Sequence, residues 1–288
     1  MIGACERILC VDVVDARLGV RAILPRVSAP RPNPSTLHPY LRDEMPVAIA
    51  HRGGALEAPE NTREAFAHAV GLGYRYLETD AQITSDGVVV AFHDDSIERV
   101  SNRQGAISDW RWDDLQDVEI NGSGQLATVE KLLTDYPSHR FNLDAKSNEV
   151  ALPLLEVIRQ TDSLDRVCVG SFSHRRLSRL RANEPRLCTS ASPFEVSRFV
   201  LRSHGAPVGQ IACQALQVPP DFRGIPLLTA KFVDQAHRDG MVVHAWTIDD
   251  AHEMHRLLDL GVDGIMTDRP TLLKSVLGGR GDPVPEQP

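Results

Sequence analysis

Cysteine is scarce. The 288 residues hold five, at Cys5, Cys10, Cys168, Cys188 and Cys213, and no two are spaced as a CxxC pair. So small and odd a set gives no disulfide framework and points to a reducing compartment. Three of the five fall in predicted strands, where cysteine acts as a small apolar residue. Long apolar runs are missing too, since none approaches the ~18 residues of a membrane span. Glu6, Arg7, Asp12, Asp15, Arg17 and Arg21 interrupt the first residues, unlike the uncharged core of a signal peptide. A cytoplasmic protein with no stable membrane insertion is the expectation. There is also no surplus of positive charge: 31 Lys and Arg stand against 39 Asp and Glu. That balance argues against a nucleic-acid partner, but a few local cations can still dominate one pocket and hold an anionic small molecule.

What remains is ordinary globular composition, 42% hydrophobic and 24% charged, enough for one large α/β domain to bury a core without metal or disulfide staples. Residues 1–40 carry Pro25, Pro30, Pro32, Pro34 and Pro39 and read as a loosely attached, flexible leader. The alternative is an element that covers the bottom of a barrel. Residues 279–288 read as a disordered tail.

Between these ends, short apolar strands alternate with amphipathic helices. Strands are predicted at Val47–Ala50, Tyr74–Asp80, Arg140–Asp144, Val167–Gly170, Leu187–Ser190, Ile211–Leu216, Val242–Trp246 and Gly264–Thr267. A helix follows each. The first starts near Asn61, with Glu64 completing a capping box. Eight such units make a (β/α)8 TIM barrel spanning 41–278. Two features interrupt it after strand two: a hairpin turning at Ser85-Asp86-Gly87, and a polar excursion over 96–125 expected at the mouth of the site.

Catalytic groups in a barrel stand at the carboxyl ends of its strands. Those ends carry His51 and Arg52, Glu78 and Asp80, His93, Asp144 and Lys146, Ser171, Gln214, Trp246 and Asp268. Gly53 and Gly54 are expected to let backbone approach a ligand. Glu78 and Asp80 share a strand face, being two residues apart. With Asp144 they bring three carboxylates together, which would repel unless a hard divalent cation, Mg²⁺ or Ca²⁺, sits among them. Ion pairing to Arg52 and Lys146 is the competing account. Two histidines beside such a site suit phosphoryl chemistry, one activating the nucleophile and the other protonating the leaving alkoxide. The helical His68, His237, His252 and His255 read as surface residues.

The ordered set His51-Arg52-Gly53-Gly54, Pro59-Glu60-Asn61-Thr62, Glu78-Thr79-Asp80, Phe92-His93-Asp94, Asp144-Ala145-Lys146, Val243–Thr247 and Gly261–Pro270 resembles the glycerophosphodiester phosphodiesterase family, in its compact cytoplasmic form. The resemblance implies metal-dependent hydrolysis of a glycerophosphodiester to sn-glycerol 3-phosphate and an alcohol. It also implies roles. His51 and His93 match the acid/base pair, and Glu78, Asp80 and Asp144 the metal ligands. Arg52 and Lys146 match the phosphate clamp. Glu60 matches a position near metal and glycerol, and Trp246 an aromatic beside the glycerol. Asp144 stands where the family usually has Glu, one methylene longer. A lipid-directed alternative, phospholipase D-like hydrolysis of lysophospholipids, requires an apolar groove or membrane-facing loop near the mouth. A barrel that only binds its ligand is the third reading.

Overall fold

The structure, a computed structural model, describes residues 9–14, 21–26 and 29–286. The parallel strands are β1 Val47–Ala50, β2 Tyr76–Ile83, β3 Arg140–Ala145, β4 Val167–Gly170, β5 Cys188–Thr189, β6 Ala215–Val218, β7 Val242–Ala245 and β8 Gly264–Thr267. They pair in the order β5-β4-β3-β2-β1-β8-β7-β6. A single parallel bridge, Ser190 to Ala215, joins the two ends of this sheet. The result is a nearly closed barrel. The helices between strands are α1 Arg63–Gly71, α2 Val129–Asp135, α3 Ala151–Gln160, α4 His174–Asn183, α5 Pro193–Ser203, α6 Ala230–Arg238, α7 Ala251–Leu260 and α8 Pro270–Arg280. Six of them open on a Thr, Ser or Asp whose side chain accepts an N–H of the first turn, satisfying donors the helix leaves over. Among the described residues no helix is long and apolar enough to cross a membrane.

Strand alternation sorts the side chains into two cores. Ala48, Ala50, Leu77, Leu143, Val169, Leu216, Val243 and Ile265 pack outward against the helices. Val47, Ile49, Tyr76, Cys168, Cys188, Ala215, Val242 and Met266 fill the interior together with Leu37, Tyr40 and Leu41. Continuing the inward parity past the apolar layer brings His51, Glu78, Asp80 and Asp144 to the mouth.

Three boundaries depart from expectation, each for a local reason. Residues 29–40 are not loose. Tyr40 is fully buried under the barrel, and the Tyr76 hydroxyl donates to its carbonyl at 2.8 Å. The bottom-covering element describes this stretch, while much of the predicted leader before it lies outside the described residues. The tail also packs: α8 runs to Arg280 and Val284 rests on the outer core. Strand six begins at Ala215 rather than Ile211. Gln217, two residues beyond inward-facing Ala215, points to the mouth, while Gln214, ahead of the strand, accepts the Thr189 N–H at 2.9 Å.

The hairpin strand Val89–Ala91 pairs antiparallel with the end of β2. The excursion folds on a small core of its own, Ile97, Val100, Ile107, Leu115, Val118 and Ile120 with Val90 and Phe92, against which Trp110 and Trp112 pack.

Candidate active site at the barrel mouth

Strand β1 ends abruptly because Arg52, Gly53 and Gly54 all take positive φ, 50°, 79° and 101°. The glycines serve packing rather than ligand approach. A Cβ on Gly53 would stand 2.7 Å from Ala65 of α1, and one on Gly54 would stand 2.7 Å from Pro270 of α8. The turn is therefore clamped between two helices, and His51 and Arg52 project from a fixed base. Asn61, also at positive φ, does not cap α1; Thr62 does, accepting the Ala65 N–H at 3.2 Å. Asn61 instead ties strand to loop. Its amide donates to Asp80 at 2.9 Å, and its carbonyl accepts from Thr79 at 2.7 Å. Glu64, expected to complete a capping box, accepts the Gln125 N–H.

A cavity of about 560 Å³ opens here, lined by His51, Arg52, Glu78, Asp80, His93, Asp144, Lys146 and Trp246 among others. Glu60 stands behind it. One of its oxygens accepts from Arg52 at 3.0 Å, and both accept from Arg99 at 2.7 and 2.9 Å. No residue of the 96–125 excursion lines the cavity. Its contribution is Arg99, which also holds Asp94.

Each histidine has Nδ1 on a carboxylate: His51 on Asp268 at 2.7 Å, His93 on Asp94. This arrangement favours a proton on Nδ1 and leaves Nε2 as the working atom. The His51 Nε2 lies 3.8 Å from Glu78. Burial disfavours the His51 cation, but the charges of Glu78 and Asp268 outweigh it, and its pKa is raised. Burial likewise opposes the charge on Asp80, yet Lys146 and Arg52 hold its pKa low. Glu78 is different. Burial dominates and lifts its carboxyl to about 7, although His51 and Arg52 pull the other way.

The three carboxylates do not form the metal-spaced group expected of them. Among the described residues no three His, Cys, Asp or Glu side chains do. The Lys146 ammonium stands between Asp80 and Asp144, 2.6 and 2.7 Å from their oxygens. Arg52 pairs with Asp80 at 3.1 Å and gives its backbone N–H to Glu78 at 2.8 Å. Ion pairing to Arg52 and Lys146 thus describes this geometry. The donor chemistry nonetheless fits a hard divalent cation: three carboxylates line one cavity, and the charge around buried Glu78 does not offset its burial.

Sequence reasoning reached His51, Arg52, Glu78, Asp80, His93, Asp144, Lys146, Ser171 and Trp246 on the cavity wall but missed Gln217 there, and missed the supporting roles of Asn61 and Arg99 behind it. The Gln217 amide donates to Asn142 at 2.9 Å. Its inward parity could have been found with the right strand register. Arg99 lies in a polar loop and carries no local signal.

A family model described as the glycerophosphoryl diester phosphodiesterase family matches residues 51–272. The probable glycerophosphodiester phosphodiesterase 2 of Mycobacterium tuberculosis is 36% identical over 253 residues, covering 84% of this chain and 95% of the relative. Solved structures share the fold. The phosphodiesterase of Oleispira antarctica, in complex with the product sn-glycerol-3-phosphate, is 24% identical with a TM-score of 0.69, over 81% of this chain and 97% of that one. A glycerophosphodiester phosphodiesterase from Agrobacterium tumefaciens is 20% identical with a TM-score of 0.68, over 80% and 99%.

Proposed function

This chain belongs to the glycerophosphoryl diester phosphodiesterase family, and we propose that it hydrolyses glycerophosphodiesters to sn-glycerol 3-phosphate and an alcohol, with His51 and His93 as its acid/base pair. The observation that carries this is the pair of histidines on one cavity, each oriented through Nδ1 by its own carboxylate. One Nε2 takes the proton of the attacking hydroxyl, from water or the glycerol 2-position. The other delivers a proton to the departing alkoxide. A pair set for both proton transfers is worth far more than a lone histidine, because each is oriented before substrate arrives.

Arg52 and Lys146 face the phosphate oxygens as permanent cations. Glu60 and Asp80 hold the Arg52 guanidinium in place, and Trp246 stands beside the glycerol. The family depends on a divalent cation; bound by Glu78, Asp80 and Asp144 as Mg²⁺ or Ca²⁺, it would supply charge that offsets the phosphate. Cys168, Cys188 and Cys213 are free and buried, which suits a cytoplasmic setting.

Incubating the protein with glycerophosphocholine and either Mg²⁺ or Ca²⁺ should release sn-glycerol 3-phosphate and choline in equal amounts. No product with either ion sinks the proposal.

A further inference from the structure

The floor of the cavity is a layer of uncharged polar groups. Two residues past the apolar layer of Cys168, Cys188, Ala215 and Val242 stand Gly170, Ser190, Gln217 and His244, which strand alternation also turns inward. Gly170, Ser190 and Gln217 line the cavity together with Asn142 of β3. Gly170 keeps a notch open among them. A Cβ there would stand 3.2 Å from the Ser190 Oγ, 3.7 Å from the Asp144 Oδ1 and 4.0 Å from the Gln217 Oε1. The Gln217 amide nitrogen donates to the Asn142 Oδ1 at 2.9 Å and faces the His244 Nδ1 at 3.3 Å. Burial pushes the His244 pKa down to about 4, so this ring is neutral. The Gln217 Oε1, the Asn142 Nδ2 and the Ser190 Oγ have no hydrogen-bond partner among the described residues. Yet Asn142 and Ser190 are each only 4% exposed. Buried polar groups are ordinarily paired, and here the open partner position is the cavity. Turning both amides over exchanges their roles and still presents one donor and one acceptor.

We propose that Gln217, Asn142 and Ser190 read the hydroxyls of the alcohol that stays on phosphorus, and thereby fix which of the two esters is cleaved. The inference rests on the hydrolase reading above and names the residues that set its substrate range. A hydroxyl donates and accepts at once, so it answers an amide oxygen and an amide nitrogen side by side. A quaternary ammonium does neither, and the Asp144 oxygen at the notch turns an anion away. Position decides the rest. β5 and β6 stand across the barrel from β1 and β2, where His51 and the hairpin that leads to His93 lie. An ester oxygen that takes a proton from either histidine is on that far side, so the alcohol held on the floor is the one retained. Water adds across the other ester bond. Phosphorus keeps the hydroxyl, and the ester oxygen leaves with the remaining proton as a free alcohol. That departing group meets none of the floor residues.

The test pairs glycerophosphocholine with 2-hydroxypropyl phosphocholine, which lacks only the terminal hydroxyl and keeps the one able to attack phosphorus. With Mg²⁺ or Ca²⁺ present, that loss should lower kcat/KM by about 10- to 100-fold, because it leaves a buried donor and acceptor unpaired. Exchanging choline for ethanolamine should change kcat/KM far less. In Gln217→Met, which nearly keeps the side-chain volume, the ratio between the two choline substrates should fall toward one. If that variant does not fold, Ser190→Ala takes its place and should lower the ratio in the same direction. Equal rates on the two substrates in the unaltered protein overturn the assignment and leave the hydrolase reading standing. So does a ratio that survives in the folded variant, or a rate that follows the choline-to-ethanolamine exchange more than the hydroxyl. If neither substrate is hydrolysed, the hydrolase reading falls and binding decides the floor. By calorimetry with the same ions, sn-glycerol 3-phosphate should then bind about tenfold more tightly than 2-hydroxypropyl phosphate. Equal affinities overturn the assignment.

Discussion

Strand β8 is bracketed by two aspartates, and each holds a histidine. Before it, Asp263 bonds His237 at 2.9 Å; after it, Asp268 bonds His51 at 2.7 Å. The two pairs share chemistry and differ in what else is satisfied. At the bottom, His237 also meets the Ala29 carbonyl at 3.3 Å. Asp263 takes the Val243 N–H at 2.8 Å and the Arg31 guanidinium at 3.1 Å, and both side chains are almost fully buried. At the mouth, His51 has one nitrogen fixed and the other turned toward Glu78 and the cavity. A buried pair whose carboxylate also holds a backbone N–H and pairs with a guanidinium is fastened structure. A pair with one end left to a cavity is equipped for proton transfer. The comparison separates a structural histidine from a catalytic candidate without reference to sequence position.

Truncation separates the two pairs most strongly. His51→Ala or His93→Ala should cut kcat/KM on glycerophosphocholine by about 10³-fold, with the melting temperature nearly unchanged. His237→Ala should do the reverse, lowering the melting temperature and sparing kcat. Near-normal turnover in either mouth variant removes that residue from the acid/base pair.

The bottom pair should show its effect in stability. Asp263→Ala leaves Arg31 and His237 without their buried partner and should cost about 3–5 kcal/mol in denaturant unfolding. Burial opposes the His237 cation, but Asp263 outweighs it and raises the pKa. A raised pKa stabilises fully below the unfolded value of ~6.5, and that contribution is lost as pH climbs through the folded value. The stability gap between the unaltered protein and Asp263→Ala should therefore narrow as pH rises above ~6.5. Arg31 and Val243 keep it from closing. A gap that widens over that range contradicts the pairing.

Much of this is legible in the chain. Inward parity along β1, β2 and β3 follows from a period of two, so an apolar run ending on His51, or a Glu78-Asp80 pair, is enough to announce a mouth. Legibility fails where the signal is three-dimensional. His237 sits on a helix whose sequence gives no hint that residues 29–31 cover it. Asn61 looks like a cap because Glu64 follows three residues later, yet the turn needs a residue at positive φ, and its amide is drawn to Asp80. The apolar run that suggests strand six starts early because Ile211 and Cys213 are buried outside any strand. Nor does the chain announce that the Lys146 ammonium stands between two of the three carboxylates.

At the mouth, the aspartate is a positioning group. Asp268→Asn keeps the shape of the contact with His51 but removes its charge. The cost should be smaller than losing His51 itself, about 10²-fold in kcat, with KM little changed because Asp268 is not among the cavity-lining residues. A merely structural role would instead lower the melting temperature and leave kcat alone.

The smallest effect should come from Arg99. It is half exposed, yet it joins Glu60 behind one half of the site to Asp94 behind the other. Through them it steadies both Arg52 and His93. Solvent-screened pairs of this kind contribute at most about 1 kcal/mol. Arg99→Ala should therefore shift the melting temperature only slightly. If all of that energy bears on the chemistry, kcat/KM falls by less than about tenfold. Arg99→Lys restores the charge but not the bidentate grip on Glu60, so it should recover little of the loss. Full recovery by lysine would show that charge alone matters at this position, and would detach the excursion from the geometry of the mouth.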